Sequence, residues 1–433
     1  MHFYLEPGGR LTGRIRVPGD KSMSHRVIML GALAEGKTYV SGFLEGEDAL
    51  ATLGAFRDMG VTISEPESGR LTIEGVGLDG LRAPQQIMDV GNSGTSIRLM
   101  AGLLAGQSFS SVLTGDQSLL RRPMARVITP LSQMGALISA REGCPPLEIA
   151  GGRKLRGIHY ELPVASAQVK SSVLLAGLYA EGFTSVSEPA PTRDHTERML
   201  RGFGYPVQVE SGSIGLEGGG TLRGTSVDIP ADISSAAFFM VGASIAEGSD
   251  LVLEHVGINP TRDGVLRILK AMGADITLTN ERDVGGEPVA DLRIRSAPLR
   301  GIEIPVEEVP LAIDELPAIL IAAACAEGVT VLRGAEELRV KESDRIASMA
   351  EGLTQLGIAN VVHPDGIAVT GGEFSGGVIA THHDHRIAMS FAMAALRASD
   401  RIKISDCAHV ATSFPGFAAL ANQVGLSLEV ADT

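Results

Sequence analysis

The chain has 433 residues, 44% of them hydrophobic, and a formal net charge of −14. That length buries large cores and normally makes more than one domain. The acidic balance and the absence of Trp argue against a general binder of nucleic acid or anionic membranes.

Along the chain, Gly13–Val17 reads as a short strand and Ser24–Glu35 as a helix that Ser22 or Ser24 caps. Thr38–Ser41 reads as a strand, and Asp48–Met59 as a helix stopped by a left-handed Gly60. Val61–Ser64 and Arg70–Glu74 complete the unit as a β pair. The pattern then recurs. Apolar, Ala-rich runs followed by β-like runs occur at Val27–Gly36, Ile97–Gly106, Val173–Gly182, Ala236–Gly248, Ile319–Gly328 and Ile387–Ser399. A second echo follows each: DMGVTI, QMGALI, GFGYPV, AMGADI, QLGIAN and QVGLSL. A spacing of roughly 65–85 residues marks a supersecondary repeat. Six such units exceed one core, so three plus three is the natural division, with the chain crossing near Thr225–Pro230. A solenoid competes with this reading, but the units are long and their connections vary. First helices made of small residues all round suit a buried bundle with sheets outside. Their N-termini would then aim at a cleft.

Several strings near those helix starts carry chemistry. Val17-Pro18-Gly19-Asp20-Lys21-Ser22-Met23-Ser24-His25-Arg26 is a turn entering a helix, with a point charge, a hydroxyl and a guanidinium suited to a phosphate or carboxylate. An ordinary capped helix with solvated charges reads equally well. Gly91-Asn92-Ser93-Gly94-Thr95-Ser96-Ile97-Arg98 offers backbone N–H groups to an anion, or is a plain tight turn. In Ser118-Leu119-Leu120-Arg121-Arg122-Pro123, Pro123 suits a first helical turn, where a basic pair opposes the dipole unless an anion sits there. Ala165-Ser166-Ala167-Gln168-Val169-Lys170 is a polar first turn, and Thr192-Arg193-Asp194-His195 a loop salt bridge or a ligand arginine. Asp314 and Glu315 open the apolar Leu316–Ala326 helix, one as a cap or as a general base. In Leu338-Arg339-Val340-Lys341-Glu342-Ser343-Asp344-Arg345 the four-residue spacing puts Lys341 and Arg345 on one helix face, as a surface charge run also would. Thr381-His382-His383-Asp384-His385-Arg386 invites a metal reading, but no second ligand cluster is visible, and Arg386 toward an anion fits the pattern better.

Cys144, Cys325 and Cys407 show no metal spacing and no paired framework, as in a reducing compartment. Cys325 reads as a core residue in an apolar helix and Cys144 as a loop residue before Pro145-Pro146. Met1–Arg16 alternates without a signal-peptide core, and no apolar stretch reaches membrane length unbroken. A soluble cytoplasmic protein is expected.

The strings PGDKSMSHR, GNSGTSIR, RRPM, ASAQVKS, TRDHTE, LRVKESDR, DHRIAMSFA and ATSFPGF together resemble the 5-enolpyruvylshikimate-3-phosphate synthase family from about Leu11 to the C-terminus. The resemblance implies an α/β fold: a two-domain inside-out α/β barrel of six βαβαββ repeats. Domain one would be residues 1–18 plus 229–433 and domain two residues 19–228, with the active site in the cleft between them. It implies transfer of the enolpyruvyl group of phosphoenolpyruvate to the 5-hydroxyl of shikimate 3-phosphate, with release of phosphate. By the same resemblance Lys21, Ser22, Arg26, Ser166, Ala167, Gln168 and Arg193 hold shikimate 3-phosphate, joined by Asp314 and Lys341. Lys21, Asn92, Gly94, Arg122, Gln168, Arg345, His385 and Arg386 hold phosphoenolpyruvate. Asp314 accepts the hydroxyl proton, helped by Lys341, and Glu342 transfers a proton at the methylene carbon; Lys21 is the third catalytic group. No metal or organic cofactor is implied, and the partners are the two small substrates, with no nucleic acid or membrane and a monomeric chain.

Ala411-Thr412-Ser413-Phe414-Pro415 lacks a lysine found in many members, and Ala167 stands where many have serine. Both departures are similar to the class that includes glyphosate-tolerant enzymes. The nearest rival, an enolpyruvyl transferase acting on UDP-N-acetylglucosamine, uses a loop cysteine that Leu113–Pro123 does not have. A non-catalytic anion-binding scaffold is the reading from another class; Asp314 and Glu342 among the basic residues weigh against it.

Overall fold

A computed structural model describes residues 1–210 and 212–432. The chain forms two compact units, one of residues 1–18 with 230–433 and one of residues 19–229.

The 19–229 unit is built round three buried helices, Lys21–Leu33, Gly94–Ala105 and Ala167–Gly177. The middle helix packs against both others. Small residues make that approach possible. A methyl group at Gly102 would lie 2.0 Å from the Ser172 carbonyl oxygen, so any side chain there would force the two helices apart. Leucines such as Leu103 and Leu104 are fully buried between them, each contributing about 1.5–3 kcal/mol. Second helices at Glu47–Asp58, Ala125–Gln133 and His195–Gly202 expose one face and bury the other.

Three four-stranded sheets cover this core, and all are wired alike. One edge pair is parallel and the remaining pairs are antiparallel. Ser226–Asp228 runs parallel to Glu35–Ser41, which continues through Leu71–Val76 to Thr62–Ile63. Met88–Asp89, Ser111–Thr114, Cys144–Ile149 and Ile138–Arg141 form the second sheet, and His159–Glu161, Phe183–Ser187, Ser213–Glu217 and Gln208–Glu210 the third.

The other unit repeats the plan. Ile233–Ile245, Leu316–Ala324 and His385–Ala394 pack on one another and are buried along their whole length. Thr12–Ile15 pairs in parallel with Asp250–Gly257, which continues to Glu287–Arg295 and Asp275–Val284. Gly377–Ala380, Ile402–Ser405, His2–Leu5 and Leu428–Ala431 make a second sheet. Val329–Leu332, Gly366–Thr370 and Asn360–His363 make the third, with a parallel bridge from Glu303 to Val331 at its edge.

Several local expectations need correction. The strand expected at Gly13–Val17 is Thr12–Ile15, and it serves the 1–18 and 230–433 unit rather than the first repeat. A short half-exposed strand reads the same whatever its partner. Asp20, not Ser22 or Ser24, caps the first helix, accepting the Met23 N–H at 2.8 Å. The helix therefore starts at Lys21, and the Ser24 hydroxyl accepts the Leu44 N–H instead. Pro123 lies outside the Ala125–Gln133 helix, whose cap residue is Met124. Cys144 opens a strand instead of lying in a loop, and Cys325 sits at the C-cap of its helix.

Candidate active site

In the 19–229 unit, three helix N-termini are laced together by side chains. None of the three helices carries an acidic residue in its first turn, and only the first has a carboxylate, that of Asp20, at its cap. His25 joins the first to the second. Its Nδ1 lies 2.9 Å from Thr52 Oγ1 and 3.2 Å from Ser96 Oγ, and its Nε2 3.5 Å from Ser93 Oγ. Burial, reinforced by the charges of Lys21 and Arg26, holds this imidazole well below its usual 6.5. Arg98 joins the second helix to the third, donating to Gln168 Oε1 at 2.7 Å, and Gln168 donates back to Thr95 Oγ1 at 3.0 Å. Arg26 joins the first to the third. It is buried and donates to Ser171 Oγ at 2.8 Å, Thr196 Oγ1 at 2.7 Å and the Ser22 carbonyl at 2.8 Å.

Around this frame stand the other residues singled out by sequence. Lys21 Nζ pairs with Asp48 at 2.9 Å. Ser166 caps the third helix and Ala167 is its first residue. Arg193 is half-buried in the segment leading to the His195–Gly202 helix, where Asp194 pairs with Arg198 at 2.8 Å. Arg122 Nη2 donates to Asn92 Oδ1 at 2.6 Å, and Asn92 is fixed by Asp116 at 2.7 Å. Gly94 lies between two guanidiniums. A methyl group there would stand 2.8 Å from Arg98 Nη1 and 2.9 Å from Arg122 Nη1. Below the site, Lys170 is fully buried between Glu188 at 2.9 Å and Glu197 at 2.8 Å. Burial alone would lower its pKa, but the two carboxylates outweigh that and raise it. Lys170 also reaches the Thr192 carbonyl at 3.4 Å, anchoring the backbone beside Arg193.

In the other unit, Arg345 is the hub. It is 1% exposed and contacts three carboxylates: Asp384 at 2.8 Å, Glu342 at 2.6 Å and Asp314 at 3.2 Å. Burial opposes its charge, but those three anions prevail and raise its pKa. Asp384 in turn caps the His385–Ala394 helix through the Arg386 N–H at 2.9 Å. Arg386 Nη1 donates to the Asp314 carbonyl at 2.9 Å and its Nη2 lies 4.0 Å from the Asp314 carboxylate. His385 is buried as the first residue of that helix. Lys341 keeps part of its surface accessible, yet crowding by protein atoms lowers its pKa, with Asp314 and Glu337 opposing the shift.

Two expectations fail here. Lys341 and Arg345 do not share a helix face, because Lys341 ends the 3-10 turn Glu336–Val340 and the helix begins at Arg345 under an Asp344 cap. Neither Asp314 nor Glu315 caps the Leu316–Ala324 helix with its side chain. The Glu315 carboxylate is buried, accepting from Ser234 Oγ and lying 3.8 Å from Arg262, which also pairs with Asp232 at 3.1 Å. That leaves Asp314 as the more accessible of the two acids. No sequence signal marks Arg98, His25 and Lys170 as site builders, and Glu315, expected as a cap or general base, is instead a buried partner of Ser234 near Arg262. Arg98 is legible only as the end of GNSGTSIR, and Lys170 only as part of a polar first turn.

The EPSP synthase family model, 3-phosphoshikimate 1-carboxyvinyltransferase, matches residues 5–420. The chain belongs to the EPSP synthase family. It is 66% identical over 434 aligned residues to the 3-phosphoshikimate 1-carboxyvinyltransferase of Alkalilimnicola ehrlichii, covering 100% of this chain and 97% of that protein. Identity to the enzyme of the same name from Methylococcus capsulatus is 65%, covering 99% and 98%. The solved EPSP synthase of Acinetobacter baumannii superposes with a TM-score of 0.90 at 60% identity, covering 100% of both chains. The enolpyruvyl transferase NikO from Streptomyces tendae shares the fold at a TM-score of 0.78 and 17% identity, covering 99% and 98%. As an EPSP synthase family member the chain is an α/β transferase, and among its described residues no helix is long and apolar enough to cross a membrane.

Proposed function

We infer that this chain transfers the enolpyruvyl group of phosphoenolpyruvate to the 5-hydroxyl of shikimate 3-phosphate and releases phosphate. The observation that carries the mechanism is that one buried guanidinium holds two carboxylates. Arg345 contacts Asp314 through Nη1 and Glu342 through Nη2. The planar fork fixes their spacing and orientation, as a pair of proton-transfer groups requires. In this reading Asp314 removes the hydroxyl proton, with Lys341 beside it. Glu342 delivers a proton to the methylene carbon of phosphoenolpyruvate. Positive character then develops at the neighbouring carbon, the hydroxyl oxygen attacks it, and the tetrahedral adduct expels phosphate.

Both substrates are polyanions, and the cationic groups match them. Lys21, Ser22, Arg26, Ser166, Ala167, Gln168 and Arg193 receive shikimate 3-phosphate, with Asp314 and Lys341. Lys21, Asn92, Gly94, Arg122, Gln168, Arg345, His385 and Arg386 receive phosphoenolpyruvate. Bonds to Thr196, Ser171 and the Ser22 carbonyl hold the buried Arg26 guanidinium in one orientation, as preorganised recognition of a phosphate requires. We take the helix-centred, sheet-covered plan of each unit as half of a six-repeat, inside-out α/β barrel, with domains at 1–18 plus 229–433 and 19–228. We also take the enzyme to be a cytoplasmic monomer.

Phosphate release from phosphoenolpyruvate tests this reading. It should appear with shikimate 3-phosphate and not with UDP-N-acetylglucosamine. Release with the nucleotide sugar, or with neither acceptor, overturns it.

A further inference from the structure

We propose that His383, Asp406 and His409 form a binding site for a divalent transition-metal ion of the zinc class. His383 Nδ1 lies 2.5 Å from Asp406 Oδ2 and 3.1 Å from His409 Nε2. One ligand atom from each of the three residues lies within 4.8 Å of the other two. The two imidazoles meet edge to face, with centroids 5.0 Å apart and planes at 83°, so their nitrogens converge instead of stacking.

The dimensions suit a small tetrahedral ion. Metal–ligand bonds of about 2.0–2.1 Å place neighbouring ligand atoms about 3.3 Å apart. The two nitrogens are already near that separation, and the histidine–carboxylate pair needs to open by about 0.8 Å. His383 and Asp406 have side chains 68% and 44% exposed, so rotation is cheap. A divalent cation would engage all three residues at once. Two imidazoles and one carboxylate favour zinc, cobalt, nickel or copper over magnesium or calcium.

The framework is held in place before any ion arrives. His383 and Asp406 both occupy left-handed backbone conformations, with φ of 61° and 59°, at two facing turns. The Thr381 hydroxyl donates to the Asp406 carbonyl at 2.9 Å and ties those turns together. Cys407, next in sequence, is excluded as a ligand. Its thiol is buried and turned to the Ile404 carbonyl at 3.4 Å. Sequence reading found three histidines in one string and no second ligand set; the fold supplies that set from Asp406 and His409. A bound ion would cross-link the turn before His385 and Arg386 to the Ala408–Thr412 turn, acting as a structural clasp.

The test uses the untagged full chain, stripped of metal, titrated with zinc chloride by calorimetry and with cobalt chloride by absorbance. One ion should bind per chain with a micromolar Kd and raise the melting temperature. His383→Asn and His409→Ala should each weaken it by about tenfold or more, while His382→Ala, which loses only a pair with Glu351, should not. The cobalt spectrum should lack an intense thiolate charge-transfer band. Absence of binding, unchanged affinity in both ligand variants, a thiolate band, or equal affinity for magnesium would each overturn the proposal. None of these readouts depends on the transferase activity.

Discussion

Gly94→Ala probes the helix start that Arg98 and Arg122 flank. The new methyl would lie 2.8 Å and 2.9 Å from their Nη1 atoms. An ordinary contact is about 3.4–3.5 Å, so each guanidinium must retreat by about 0.6 Å. Both are the ends of flexible side chains, so the fold should survive, with a melting temperature within a few degrees of wild type. The retreat acts on two short charge-assisted bonds, Arg122 to Asn92 at 2.6 Å and Arg98 to Gln168 at 2.7 Å. Such bonds contribute about 1.5–3 kcal/mol each. Losing the worth of one from phosphoenolpyruvate binding means a KM increase of about tenfold or more. Asp314 and Glu342 lie in the other unit, so kcat should fall much less. Steady-state kinetics at saturating shikimate 3-phosphate measures both. An unchanged KM for phosphoenolpyruvate in a folded variant would refute the assignment of Gly94 and Arg122.

Lys170→Met leaves Glu188 and Glu197 buried without their cation, which should cost about 3–5 kcal/mol in denaturant unfolding; a loss under 1 kcal/mol would contradict the buried pairing. His25 is held neutral in the folded state while the unfolded chain protonates it near 6.5. The unfolded state therefore binds more protons, and stability falls as pH drops below about 6.5, by up to ~1.4 kcal/mol per unit for this one group. His25→Gln should remove that share of the slope, measured by urea unfolding between pH 5 and 7; an identical slope would exclude it. Lys341 is pushed below its ordinary 10.5, so the alkaline limb of kcat/KM should fall below that value. Lys341→Arg, charged throughout, should lose the limb.

Much of the fold was legible because burial imposes periodicity. The six inner helices show as Ala- and Gly-rich runs, and each appears as a buried helix. Partners distant in sequence were not legible. Nothing in Thr12–Ile15 announces a strand at Asp250–Gly257, and a lone Ser226–Asp228 does not declare its pairing with Glu35–Ser41. The strings single out Lys21, Arg122, Asp314 and Arg386 as candidates. They did not show that Arg345 would gather Asp314, Glu342 and Asp384, since those acids come from separate segments. Helical spacing misled at Lys341, because an Asp344 cap resets the helix start. Asp406 and His409 carried no signal until the chain folded them against His383.

The most direct measurement is a double-mutant cycle on Asp314→Asn and Glu342→Gln, read as phosphate release at saturating substrates. General acid–base groups contribute about 10²–10⁴-fold each. Because Arg345 holds both acids for one proton-transfer sequence, the double variant should be little slower than the slower single one. Two losses that multiply in full, or a single variant close to wild-type rate, would contradict the account.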